Sequence, residues 1–175
     1  MPHFSPDFVR NCLLSSIDSL LNRRDDFLVN PETDFTRTKK ISFEQTMLFP
    51  MVAGADNLST GLIDFFDEKM IPSASSMIRR RNQIKSSAFE QLFLSFTSLI
   101  PVLKTFCGYR LIACDGSRLN LPYNPSDPDT FIKCIESRKG INQMHLNCLY
   151  DILNDLFLDT ELQPIKQMDE KNAFC

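Results

Sequence analysis

Tryptophan is absent from the sequence, histidine occurs twice, and the six cysteines, Cys12, Cys107, Cys114, Cys134, Cys148 and Cys175, never form a C-x-x-C pair. Zinc is held by clustered thiolates and imidazoles, so this spacing speaks against a metal module of that kind. The scatter predicts reduced, mostly buried thiols in a chain that stays in the cytoplasm. No apolar run approaches the roughly 20 residues that span a bilayer, because Ser, Asn, Asp or Lys interrupts each one. Met1 to Arg10 carries Pro and Asp where a secretory signal needs a basic start and an apolar centre. A membrane partner is therefore not expected. Internal repeats and low-complexity tracts are also missing, and the composition excludes collagen, coiled coils and disulfide scaffolds.

What remains is a chain of 175 residues, 43% hydrophobic, with a net charge of -3. It is long enough for one ordinary domain, or a small one plus part of another, and too apolar to stay disordered. The first hundred residues read as helices joined by short polar connectors, since apolar positions recur at three and four. Phe8, Val9, Cys12, Leu13, Ile17, Leu20 and Leu21 form one stripe. Ser42 and Gln45 have the spacing of a capping box, as do Ser87 and Glu90. Leu62 to Met70 predicts a further helix, and Pro101 ends or kinks the last one, which carries Phe89, Leu92, Phe93, Phe96, Leu99 and Ile100.

After Gly108 the period changes to two. Tyr109, Leu111, Ala113 and Asp115 alternate with Arg110, Ile112 and Cys114, which predicts a strand closing at Asp115. Leu146, Cys148, Tyr150 and Ile152 alternate with His145, Asn147, Leu149 and Asp151, and an Asn154-Asp155 turn predicts a hairpin returning through Leu156, Leu158, Thr160 and Leu162. The expected fold class is α+β, with a helical region over 1–107 and a sheet region over 108–175.

Residues 1–114 hold 13 basic and 12 acidic groups, while residues 115–175 hold 6 and 10. Within this distribution Lys69, Arg79, Arg80, Arg81 and Lys85 lie in a stretch, 69–89, without one acidic residue. Pro72 to Ile84 predicts a capped helix whose exposed side is entirely cationic. Arginine is suited to phosphate oxygens through its planar donors, so DNA is the obvious partner, with interleaved Ser, Asn or Gln adding base-edge or phosphate contacts. A solvated helix face is the competing reading. Arg37, Lys39 and Lys40 make a second basic cluster before the Ser42 cap.

Asp115 follows Leu111-Ile112-Ala113-Cys114 and precedes Gly116-Ser117. An acid closing an apolar strand caps a turn or binds a cation, and both roles fit locally. Asp151 and Asp159 alternate with apolar residues and are expected to face solvent. His145, at a strand start, reads as a structural, hydrogen-bonding histidine.

Taken together, Gly108-Tyr109-Arg110-Leu111-Ile112-Ala113-Cys114-Asp115-Gly116-Ser117, Leu119 to Asn124, and Gly140-Ile141-Asn142-Gln143-Met144-His145-Leu146-Asn147-Cys148-Leu149-Tyr150-Asp151 closely resemble the N-terminal half of bacterial DDE transposases, in the group named after insertion sequence four. Phe35 to Phe43 and Pro72 to Ile84 are similar to the same group, and the resemblance runs from about residue 8 onward. It implies a helical DNA-binding region, including Arg37, Lys39, Lys40, Arg79, Arg80, Arg81 and Lys85, followed by the first strands of a truncated ribonuclease-H-like domain. In that fold three acids hold two divalent cations for phosphodiester cleavage and strand transfer, and oxygen ligands beside phosphate suit Mg²⁺. Asp115 matches the first acid and would be catalytic and metal-binding. The segments carrying the second and third acids are not found before Cys175, and Asp151, Asp159 and Glu170 do not replace them. The expectation is thus a DNA-binding fragment inactive by itself, or a non-catalytic module that inhibits transposition. An incomplete sheet further predicts marginal stability, homo-oligomerisation or aggregation of the C-terminal part.

Overall fold

The computed structural model describes residues 4–36, 41–54, 57–133, 139–169 and 172–174. Among these lie five α-helices and one antiparallel four-stranded sheet, a mixed α+β arrangement. The chain divides into two compact units, Met1–Ile100 and Pro101–Cys175.

The helices of the first unit are α1 (Pro6–Leu21), α2 (Phe43–Val52), α3 (Leu58–Phe65), α4 (Ala74–Arg81) and α5 (Ser87–Leu99). Four of them start where a side chain accepts a hydrogen bond from an amide that the helix cannot satisfy. Ser5 caps α1, Asn57 caps α3 through the Thr60 amide at 2.9 Å, and Ser73 caps α4 through the Ser76 amide at 3.3 Å. At α2 the capping box is complete: the Gln45 amide donates to Ser42 Oγ at 3.0 Å, and the Ser42 amide donates to Gln45 Oε1 at 2.9 Å. The box expected at Ser87 and Glu90 does not form. Ser86 stands at the cap without a side-chain bond, and Ser87 is already the first helical residue. The helix expected over Leu62–Met70 lies earlier, as α3, because Asn57 supplies the cap and the chain turns away from helix at Phe66. Helix α5 stops at Leu99, ahead of Pro101, whose ring and missing amide cannot continue it.

Two apolar clusters hold this unit. Ile17 and Leu20 of α1 meet Leu28, Phe43 and Met47 of the next segment and Ala88 and Leu92 of α5. Ile41, Phe49, Leu62, Phe66 and Met77 form the second, so Met77 anchors α4 against α2 and α3. A short antiparallel clip completes the frame: Leu28 bridges Ile84, the Val29 amide donates to the Gln83 carbonyl at 2.9 Å, and the Lys85 amide donates to the Phe27 carbonyl at 2.9 Å.

The second unit is built on β1 (Ile112–Leu121), β2 (Phe131–Ile132), β3 (Ile141–Asp151) and β4 (Leu156–Pro164). β3 is central. All of β1 pairs with it, from Ile112 opposite Asp151 to Leu121 opposite Asn142. Asn142 also pairs with Phe131, so β2 lies on the other side of β3, where β4 occupies the remainder. The strand expected to close at Asp115 therefore starts later and runs on through Gly116 and Ser117, since β3 offers a partner for every residue to Leu121. The hairpin is present, but its loop is four residues, Ile152 to Asp155, with Asp155 at φ 53°. A register shift between Leu149 and Tyr150 leaves Leu158 without a cross-strand partner. Residues 101–111 belong to this unit: the Leu103 and Lys104 amides both donate to Asn154 Oδ1 at 2.9 Å, and the Ile152 amide donates to the Leu111 carbonyl at 3.0 Å.

Among the described residues of this unit, those fully buried are polar: Thr130, Asn142, His145, Asn147 and Asp151. Cross-strand neighbours share a sheet face. Leu119 beside Met144, Leu146 beside Leu162 and Tyr150 beside Phe157 line one face, which also carries Asp115, Ser117 and Thr160, and Leu119, Phe157 and Leu162 remain 39%, 49% and 54% exposed. The thiols also depart from expectation. Cys12 is buried and Cys148 half-buried, but Cys107, in a turn, and Cys114, on the edge strand β1, are exposed; all four are free, and Cys134 and Cys175 lie outside the described residues. Among the described residues no helix is long and apolar enough to cross a membrane.

Candidate nucleic-acid interface and the Asp115 strand

Helix α4 carries the three consecutive arginines in its last turn, where cations suit the negative end of the helix dipole. Successive residues are turned by about 100°, so three in a row cannot share one face. Arg79 and Arg81 are exposed, whereas Arg80 is only 7% exposed. The expectation of an entirely cationic exposed side is corrected accordingly. Arg80 Nη1 donates to Gln83 Oε1 at 3.0 Å, and its guanidinium lies 4.4 Å from the Phe35 ring centroid. Gln83 Nε2 in turn donates to Asp34 Oδ1 at 2.7 Å, and Asp34 Oδ2 accepts the Asn30 amide at 2.9 Å. Burial lowers the Arg80 pKa and the Asp34 charge offsets part of that, which leaves a cation compensated from within the protein. Phe35 holds φ at 52°, a left-handed conformation costly for an aromatic residue, and its ring is packed between the Arg80 guanidinium and Phe43.

Lys85 is exposed; its ammonium donates to the Asp26 carbonyl at 2.9 Å, a neutral acceptor, and it forms no ion pair among the described residues. Arg37, Lys39 and Lys40, the second basic cluster, lie outside the described residues. Sequence reasoning missed Asp34, Phe35 and Gln83 as partners of Arg80. Asp34 stands 49 positions from Gln83, and no local pattern marks the pairing.

Asp115 lies inside β1 rather than at its end. Its side chain is exposed, and Oδ1 accepts the Gly116 amide at 2.8 Å. Its cross-strand neighbour is Cys148, followed on β4 by Thr160. Burial, and then the charges of Asp115 and Cys114, push the Cys148 thiol pKa up, which keeps it protonated. A Mg²⁺ ion needs several oxygen donors around it. Among the described residues no three His, Cys, Asp or Glu come close enough to share an ion.

His145 lies in the middle of β3, 3% exposed, between Arg118 of β1 and Gln163 of β4. It is not at a strand start, because β3 begins at Ile141. Asn147 is fully buried beside it and donates to Gln163 Oε1 at 3.2 Å. Asp159 is exposed as expected, but Asp151 is not: it is fully buried and bound to Arg110 Nε at 2.8 Å. The arginine that compensates it stands 41 residues away, out of reach of an alternation argument.

Comparison of the chain with protein-family models, with curated proteins and with solved structures gives no match.

Proposed function

We propose that this chain is a DNA-binding protein related to DDE transposases. On this reading the helical unit grips duplex DNA, and the sheet corresponds to the first strands of a ribonuclease-H-like domain in which Asp115 supplies one acid toward Mg²⁺. The observation that carries it is the exposed pair Arg79 and Arg81 with Lys85 nearby, on a segment without acidic residues, while the one buried arginine is already compensated by Asp34. Among the described residues neither Arg79 nor Arg81 forms an ion pair, and exposed arginines offer planar donors to phosphate oxygens. The three antiparallel neighbours β1, β3 and β4 support the second part, since each longer strand pairs with the next in chain order.

Binding to a duplex of arbitrary sequence is expected to weaken steeply with salt, because each phosphate contact releases a counterion. In a gel-shift series the double variant Arg79→Ala, Arg81→Ala should bind about tenfold or more weakly, with a slope of log affinity against log salt shallower by about 2. Equal affinity and slope for wild type and variant would remove α4 from the interface.

A second reading, a non-catalytic module occupying transposon ends, is favoured by Asp115 being the one carboxylate among the described, paired strand residues of its face. It predicts that the 175-residue protein shifts DNA but leaves supercoiled plasmid uncut in Mg²⁺. Nicking that disappears in Asp115→Ala would instead favour the catalytic reading.

Self-association is the third expectation, carried by the exposed Leu119, Phe157 and Leu162 on one sheet face and by the outer edges of β1 and β4, which pair with no further strand among the described residues. Sedimentation velocity across a hundredfold dilution should show mass falling with concentration; a constant monomer mass would refute it.

A further inference from the structure

The arginine run fixes how α4 is turned, and with it which side chains are offered outward. Arg80 and Met77 point into the unit, one into the Phe35 and Gln83 network and the other into the Ile41, Phe49, Leu62 and Phe66 cluster. The opposite side of the helix presents Ser75, Ile78 and Asn82, spaced three and four apart and therefore on one stripe. All three are exposed, Ile78 at 41%. Ser75 shares its hydroxyl with the Ser73 cap at 3.1 Å, whereas Asn82 makes no side-chain hydrogen bond among the described residues. Gln83, its neighbour, is already used by Arg80 and Asp34. Arg79 and Arg81, each about 100° from Arg80 in opposite senses, flank the stripe on its two sides. A helix of roughly 10–12 Å diameter fits a major groove about 12 Å wide, and side chains on its two flanks then reach different phosphate backbones.

Resting on the DNA-binding reading, we infer that α4 enters the major groove of duplex DNA with Ile78 and Asn82 against base edges, Arg79 and Arg81 on phosphates to either side, and Arg80 as a positioning residue that never touches the nucleic acid. The chemistry matches the face: an amide pairs bidentately with adenine N6 and N7, and an apolar side chain covers the thymine methyl. The preferred site should therefore contain A·T pairs at the centre of the contact. The three arginines thus divide into two that contribute to the counterion count and one that does not.

The test uses the full chain and a pool of 30-base-pair duplexes with a randomised core. Wild type should bind the unselected pool and, over selection rounds, enrich an A·T-containing motif about tenfold or more, as expected for direct readout. The Ile78→Ala, Asn82→Ala variant should lose that enrichment while its salt slope, set by the phosphate contacts, stays that of wild type. Arg79→Ala, Arg81→Ala should weaken pool and motif by the same factor and flatten the slope. Arg80→Lys, which keeps the charge, and Arg80→Met should each leave the slope unchanged in folded protein. Without any variant, phenylglyoxal labelling read by mass spectrometry should modify Arg79 and Arg81 in free protein, lose both on adding DNA, and leave Arg80 unlabelled throughout. A motif enriched equally by the Ile78, Asn82 variant, the absence of any enriched motif, or an Arg80 that labels freely and is protected by DNA would each overturn this assignment while leaving DNA binding intact. Failure of wild type to bind the pool at all would overturn the DNA-binding reading itself.

Discussion

Replacing Asp151 by alanine is expected to destabilise the sheet unit by about 3 kcal/mol, the sum of several hydrogen bonds whose donors would be left without an acceptor. The carboxylate is fully buried and accepts four of them: Arg110 Nε at 2.8 Å, Asn154 Nδ2 at 2.9 Å, the Asn154 amide at 3.1 Å and the Leu153 amide at 3.2 Å. Asn154 passes the constraint on, since its Oδ1 accepts the Leu103 and Lys104 amides and its Nδ2 also donates to the Lys104 carbonyl at 3.0 Å. One carboxylate therefore fixes the β3–β4 loop and, through Asn154, the segment that leads into β1. Removing it should lower the urea midpoint and raise hydrogen exchange at 103–104 and 152–156 before the rest of the sheet. A variant with the wild-type midpoint and exchange pattern would show the network to be dispensable.

The same group sets an acid dependence. Burial pushes the Asp151 pKa up, but the hydrogen bonds from Asn154 and Arg110 and the guanidinium charge outweigh it, so the folded value lies below that of an ordinary aspartate. A depressed folded pKa means that the contribution is fully present above the unfolded value, about 3.9, and is lost as pH falls through the folded one. Stability measured from pH 7 down to pH 3 should accordingly decline less steeply in Asp151→Asn than in wild type across the acid end.

Where local chemistry decides the structure, the sequence was readable. The Ser42 and Gln45 box, the stop before Pro101 and the antiparallel pairing of residues 146–151 with 156–162 all follow from neighbours within a few positions. The failures share a different cause. Asp151 looked solvent-facing because alternation with Tyr150 and Ile152 reports only which face it occupies, and the charge that permits its burial comes from Arg110. Arg80 looked exposed because a three-arginine run was read as one surface, whereas helical geometry forces one of the three inward once Met77 has chosen the buried side. Asp115-Gly116-Ser117 looked like a turn because glycine after aspartate favours one, and the long partner strand β3 overrides that preference. At the candidate site, Arg79, Arg81 and Lys85 were legible as cations, but the distinction between them and Arg80 depends on Asp34 and Phe35, which belong to a remote turn.

The other large effect is expected in the helical unit, from Leu92→Ala. Leu92 is 1% exposed on α5 and belongs to the cluster that contains Ile17 and Leu20 of α1, Leu28, and Met47 of α2. Truncation removes most of a buried side chain and leaves a cavity that helices held by other contacts can only partly close, a loss of about 3 kcal/mol. For a unit of this size each kcal/mol corresponds to roughly 4–8 °C, so the melt of residues 1–100 should fall by about 12–24 °C. The consequence for binding follows from the clip between Leu28 and Ile84, since both residues belong to the same cluster and the clip fixes the exit of α4. On the proposed DNA-binding reading, Leu92→Ala well below its lowered melting point should bind a duplex with the wild-type salt slope, because Arg79, Arg81 and Lys85 keep their positions while the unit stays folded. Near the melting point affinity should collapse together with the circular-dichroism signal. A salt slope altered at low temperature, where the helices remain intact, would mean that the cluster shapes the cationic face directly and not only through the stability of the fold.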